Sequence, residues 1–271
     1  MPNVSVIQLS DLHFGASGQN AHPSGELADQ VAEVAASLNN PLILASGDIT
    51  FKAADAGYRE ASQFFDRVRN ATGLGRDRFL FCPGNHDCHA QHKFKAFDAF
   101  TFGVRQDGAC TFSARACQVV DVDGLTFVLL NSAYHFDHEF GLVDLDSLRR
   151  IKIAEPADCV AVSHHHVIPS DPNDPSTTRN AYGLLTALDD MHIPVLLHGH
   201  QHVTKAIPVG NTPVQVIGVN SFNFAYAGGQ NALGVLEWTD KSVKFERRIY
   251  LSDGVGSAGR RFETLDGVTI R

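Results

Sequence analysis

The chain has no apolar run long enough to span a membrane, and no basic segment followed by an apolar stretch near its start. Neither a membrane anchor nor a secretory leader is therefore expected, and the reading is a soluble, cytoplasmic protein. Cys-x-x-Cys is missing. The five cysteines, Cys82, Cys88, Cys110, Cys117 and Cys159, are odd in number, which argues against a disulfide framework. Lysine and arginine form no run, and the formal net charge is -8. Binding to a nucleic-acid backbone usually leaves a basic footprint, so nucleic acid is not an expected partner. Asp121–Gly124 has the start of a calcium loop without its later ligands or closing glutamate, so a turn is expected there.

What the chain does have is apolar residues, glycine and histidine. With 271 residues, 44% of them hydrophobic, it is long enough for one large core. Strands are expected at Val4–Leu9, Pro41–Ala45 and Arg78–Cys82. Helices with a single apolar stripe are expected between them, at Glu26–Leu38 and Ala53–Val68. That alternation predicts an α/β fold with right-handed crossovers. Residues 88–110 read as mostly helical. Cys117–Val122 and Leu125–Leu130 form a hairpin turning at Asp123-Gly124. A short helix over Asp144–Ile151, a strand Cys159–Val162, a helix Arg179–Met191 and a strand Pro194–Leu197 follow. Four further strand-like segments end at Tyr250. The domain is expected to cover residues 1–251, with a glycine-rich tail over 252–271.

The 14 histidines are clustered. Five apolar strands end in residues able to bind metal: Asp11 and His13; Asp48; Asn85 and His86; His164-His165-His166; and His200 and His202. Ligand sites in open α/β sheets lie beyond the carboxyl ends of the strands, so these residues are expected on one rim. Extended backbone would turn Asp11 and His13 to the same face, and likewise His200 and His202. Oxygen and nitrogen donors without thiolate suit manganese, iron or zinc in a catalytic site. Two ions sharing a carboxylate would use all the donors, and ions roughly 3.5–4 Å apart are typical of phosphate-ester hydrolysis.

The ordered set Asp11-x-His13, Gly47-Asp48, Gly84-Asn85-His86-Asp87, the histidine triplet and Gly199-His200-x-His202 resembles the motifs of the calcineurin-like metallophosphoesterase superfamily. The resemblance covers residues 4 to 205. It implies a four-layer α/β/β/α sandwich with two facing mixed β-sheets. By the same likeness Asp11, His13 and His202 would hold one ion. Asn85, a triplet histidine and His200 would hold the other, and Asp48 would bridge them. Family members commonly have His-His-Pro or His-Tyr-Pro at the triplet; aligning Val167 with that proline makes His165 the ligand and puts His166 on the pocket wall. His86 would serve the leaving group, with Asp87 orienting it.

The implied reaction is hydrolysis of a small-molecule phosphodiester by a bridging hydroxide in a dinuclear site. Asp-Leu-His-Phe-Gly, Gly-Asp-Ile-Thr and Arg179-Asn180-Ala181 resemble bacterial cyclic-nucleotide phosphodiesterases, in which an asparagine here faces the phosphate. Asn180 is thus a candidate substrate contact, or simply the start of a helix. A phosphomonoesterase or protein phosphatase on the same core, and a non-catalytic scaffold, are the alternatives. His138, with Asp137 and Glu139, is a candidate for the rim of the site or a solvated turn.

Overall fold

A computed structural model describes residues 2–16, 18–136, 139–211, 214–225, 229–240, 242–251 and 261–270. Asp137 and His138 lie outside the described residues.

Strand β1, Val4–Leu9, is buried at all six positions. Such a run needs cover on both faces, as in a central strand. It pairs in parallel with β2, Pro41–Ser46, which pairs in parallel with β3, Phe79–Cys82. The crossovers are α1, Ser24–Ala36, and α2, Asp55–Thr72. Helix α2 stops where Gly73 takes φ 71 and returns its N–H to the Arg69 carbonyl, a left-handed ending natural to glycine. Its start is two residues later than the pattern predicts, because Ala53 is left-handed and its N–H is given to the His86 carbonyl at 2.6 Å.

The second sheet begins with the hairpin β4, Cys117–Val122, and β5, Leu125–Leu130. Asp123 and Gly124 both have positive φ, as a two-residue hairpin turn requires. Then β6, Cys159–Ser163, and β7, Val195–His198, extend it in parallel. Strands β8, Lys205–Val209, and β9, Val214–Gly218, complete the order β4-β5-β6-β7-β9-β8. Between β3 and β4 only α3, Lys95–Arg105, is α-helical, less than residues 88–110 suggested. Helices α4, Leu145–Arg149, and α5, Ala181–Asp190, lie against the second sheet.

The period-2 alternation of β5 shows how the layers stack. Phe127 and Leu129 join the large core shared with the first sheet, whereas Val128 and Leu130 join the smaller core under α4 and α5. The result is the expected α/β/β/α sandwich of two mixed six-stranded sheets. The first sheet is completed by β10, Ala232–Trp238, β11, Val243–Leu251, and β12, Arg261–Thr269, in the order β12-β11-β10-β1-β2-β3. Strand β12 falls inside the segment read as a tail. It is a mostly exposed edge strand, so its composition gave little sign of pairing. Among the described residues no helix is long and apolar enough to cross a membrane.

Candidate metal centre

The carboxyl ends of β1, β2, β3, β6 and β7 meet between the two sheets. Short bonds knit them together: Asp11 N–H to Gly47 O at 3.1 Å, His13 N–H to Asp48 O at 3.0 Å, and Gly199 N–H to His164 O at 3.0 Å. The side chains converge by strain rather than by strand geometry. Asp11, His13, Asp48, His200 and His202 all have φ between 48 and 67. Left-handed backbone costs a non-glycine residue free energy and persists only where its surroundings enforce it. The expectation that extended backbone aligns Asp11 with His13, and His200 with His202, is thus replaced by two left-handed pairs. Glycine is needed beside them for space: a Cβ at Gly84 would overlap the Asp48 carboxylate, and one at Gly199 would overlap Ser10 Oγ.

Asp11 Oδ1 lies 3.3 Å from His202 Nε2, 3.8 Å from His13 Nε2 and 4.0 Å from His164 Nε2. It is buried and receives no hydrogen bond among the described residues. Asp48 Oδ2 lies 3.2 Å from His164 Nε2 and 3.8 Å from His13 Nε2, while its Oδ1 accepts the His86 backbone N–H at 2.8 Å. His164 Nε2 and His200 Nδ1 are 3.1 Å apart. Two three-residue groups result, Asp11-His13-His202 and Asp48-His164-His200, with His13 and Asp48 adjoining. His13, Asp48 and His86 form a third group, so distance alone does not separate His86 from the ligands. His86 differs in being stacked on Phe51, with ring centroids 5.2 Å apart. Asn85 is buried on the short turn Asn85–Asp87, directly after the Gly84 that abuts Asp48.

The histidine triplet divides differently from the sequence expectation. His164 Nδ1 is 3.0 Å from the Ser46 carbonyl, which can only accept, so His164 Nε2 is directed at Asp48. His165 Nδ1 is 2.8 Å from Ser132 Oγ, and that hydroxyl already accepts the His165 backbone N–H at 3.2 Å. Ser132 Oγ thus holds the His165 ring through Nδ1. The structure thus brings His164, not His165, to the carboxylates. Three identical residues in a row offered no composition signal for the register, and Val167 in place of proline removed the usual marker.

Three other expectations change. Asp87 does not bond the His86 ring: its carboxylate accepts the N–H groups of Gly84 at 3.0 Å and of Ile49 and Thr50 at 3.1 Å. It clamps the β2 and β3 loops to each other. His166 is fully buried, with Nε2 3.0 Å from Asp174 Oδ2 and 3.1 Å from Thr177 Oγ1, so it anchors the loop after β6 instead of lining a pocket. Asn180 spends both ends of its amide on the Val143 backbone, donating at 2.7 Å and accepting at 3.1 Å. It precedes α5 as the helix-start reading has it. Sequence reading missed Ser132, which follows β5 as the other site residues follow their strands. It also missed Phe224, packed on His13 at 4.8 Å and marked by no spacing.

The charges are coupled. Burial disfavours ionised Asp48, but His164, His86 and His13 outweigh it and hold the carboxyl well below the usual range. Asp11 is held down in the same way, burial being overcome by His202 and His164. Burial also opposes a charged His164, yet Asp48 and Asp11 raise it to about 9. Burial lowers His13 to about 4 and His200 to about 3. A buried pair of carboxylates thus demands positive charge at this point, and neutral imidazoles stand ready as donors. Two carboxylates, four imidazoles and an amide, without a thiol, fit two divalent ions of the manganese, iron or zinc class.

Residues 4–204 match the profile of the calcineurin-like phosphoesterases. The chain belongs to that family. No curated protein matches it significantly. Among solved structures, a dimetal phosphatase from Danio rerio superposes with a TM-score of 0.61 at 13% identity, covering 100% of this chain and 99% of the other, a likeness of fold. Vps29 from Entamoeba histolytica, complexed with zinc, is similar at a TM-score of 0.48 and 14% identity, over 98% of this phosphoesterase and 99% of that chain.

Proposed function

We propose that this phosphoesterase hydrolyses phosphodiesters with two divalent ions. Asp48 carries the reading. One buried carboxylate faces His13, on the side of Asp11 and His202, and His164, on the side of His200. In this reading Asp11, His13 and His202 hold one ion, His164, His200 and Asn85 the other, and Asp48 is shared. Ions bound there supply Lewis-acid polarisation of the phosphoryl group and acidify the attacking water. His165, held by Ser132, packs its ring against His164 and His200, and the Ser46 carbonyl fixes the His164 tautomer.

His86 acts on the substrate. It lines a cavity of about 520 Å³ with Lys52, Asn85, Cys88, His89 and Ala90. In this reading its imidazole gives a proton to the oxygen leaving into that cavity. Asp87 contributes by holding the turn that carries His86. Among diesters, cyclic nucleotides are the candidates that Asp11–Gly15 and Gly47–Thr50 favour by their likeness to bacterial cyclic-nucleotide phosphodiesterases; Asn180 lends no support.

The test is hydrolysis of bis(4-nitrophenyl) phosphate against 4-nitrophenyl phosphate by manganese-loaded protein. The diester is the expected substrate, and a strong monoester preference would assign the same centre to a phosphomonoesterase. His86→Ala is expected to keep its metal and lose roughly 10²- to 10⁴-fold in kcat with alkyl leaving groups, and less with nitrophenolate. Wild-type rates with alkyl esters would remove His86 from this role.

A further inference from the structure

The cavity beside His86 carries more information than its volume. In a chain of formal net charge -8, the described residues that line it include no carboxylate. Among the described residues, Lys52, His86 and His89 are the titratable side chains on its wall besides the Cys88 thiol. Lys52 is exposed, and its ammonium lies 5.1 Å from the centroid of Phe51, the ring on which His86 stacks.

The backbone holds Lys52 there. Lys52 and Ala53 are consecutive left-handed residues, with φ of 59 and 52. Two such residues in succession persist only when neighbouring structure fixes them. Here the anchors are the Ala53 N–H to the His86 carbonyl at 2.6 Å and the Asp87 carboxylate bonded to Ile49 and Thr50. The segment bearing Lys52 is thus tied directly to the turn bearing His86.

His89 adds an independent sign of the same kind. Its Nδ1 accepts the backbone N–H groups of Gln91 at 3.1 Å and His92 at 3.3 Å. The ring proton is therefore on Nε2, and His89 offers a donor and no acceptor. An ammonium and a donor imidazole, on a wall where no described residue is acidic, make an anion subsite on the leaving-group side of His86.

Resting on the phosphodiester reading, we propose that Lys52, aided by His89, selects among open-chain diesters those whose departing alcohol or phenol carries a further anionic group, a carboxylate or a phosphoryl group. Methyl aryl phosphates test this with three leaving groups: phenol, 3-hydroxybenzoate and 3-(phosphonomethyl)phenol. Metal-loaded protein is expected to favour the anionic leaving groups about tenfold in kcat/KM at low salt, most of it in KM. The ratio of the carboxylate to the phosphonate ester then says which anion the site takes. Lys52→Gln is expected to bring the anionic-to-phenyl ratio to about one, and Lys52→Arg to restore it. Binding of 3-hydroxybenzoate alone, followed by NMR, should shift the amide signals of Lys52, His86 and His89, and that response should vanish in Lys52→Gln. Equal kcat/KM for the three esters, or a preference that survives Lys52→Gln, overturns the subsite and leaves the hydrolase reading standing. No turnover of any of the three overturns the hydrolase reading and the subsite with it.

Discussion

His164 and His165 are adjacent, both buried, and chemically identical, yet their hydrogen bonds tie them to different partners. Ser46 takes the Nδ1 proton of His164, whose Nε2 lies 3.2 Å from Asp48, and Ser132 Oγ meets Nδ1 of His165. His164→Ala is therefore expected to bind about one ion per chain in place of two. His165→Ala should retain both sites with affinity lowered roughly 10- to 100-fold, since it supports a ligand without being one. Metal content by plasma mass spectrometry after dialysis against graded metal concentrations separates them; the opposite pattern would return the ligand role to His165. At Asp11, Asp48 and His200 the motif offered one candidate each, and these side chains do meet in the carboxylate–imidazole groups. Residue identity was illegible where tautomer and register decide. Asn180 and His166 were misread for a related reason: an amide or imidazole near a site looks the same in sequence whether it meets substrate or backbone.

At the scale of elements, the site depends on loops tied across the first sheet. Asp87 carries one of these ties, holding three backbone N–H groups from two different loops. Asp87→Ala would leave those buried donors without an acceptor, at a cost of roughly 3 kcal/mol or more. Urea unfolding should show that loss in midpoint with little change in slope, and kcat should fall too, because the His86 turn is released. A variant of unchanged stability and reduced kcat would instead give Asp87 a direct part in the chemistry. The strands themselves were largely legible, because β1, β2, β5 and β6 are short apolar runs closed by polar residues. The left-handed residues after β1, β2 and β7 were not: the five strained positions obey no propensity, and tertiary contacts alone hold them.

For the whole molecule, two sheets are joined at a charged seam between them. Loading that seam with metal should stabilise the fold by mass action, about 2.7 kcal/mol per ion at a hundredfold excess over its Kd. Chelation is thus expected to lower the melting temperature by several degrees. Trp238 reports it, being the single tryptophan and fully buried against the Asp158 carboxylate at 3.0 Å. The pH dependence has two signs. In metal-free protein, His164 is raised from 6.5 to about 9, so its contribution to stability is present below 6.5 and lost as pH rises through about 9. Metal must displace that proton, so uptake should weaken by about tenfold for each unit the pH falls below about 9, for one competing proton. Calorimetric titrations in buffers of different ionisation enthalpy read the proton released; uptake that strengthens as pH falls would contradict the charge balance assigned here. The alternation of strands and helices made the α/β class legible and the family resemblance implied the sandwich, whereas edge strand β12 was hidden by its exposure and polar composition.

The central claim is that one carboxylate, Asp48, joins two ions. Anomalous diffraction from crystals of manganese-loaded wild type and Asp48→Asn tests it most directly. The expected wild-type result is two peaks roughly 3.5–4 Å apart on either side of Asp48, with His164 at one of them and His165 at neither. In Asp48→Asn both peaks should weaken together. A single wild-type peak, or two peaks that respond independently to the Asp48 substitution, would contradict the account.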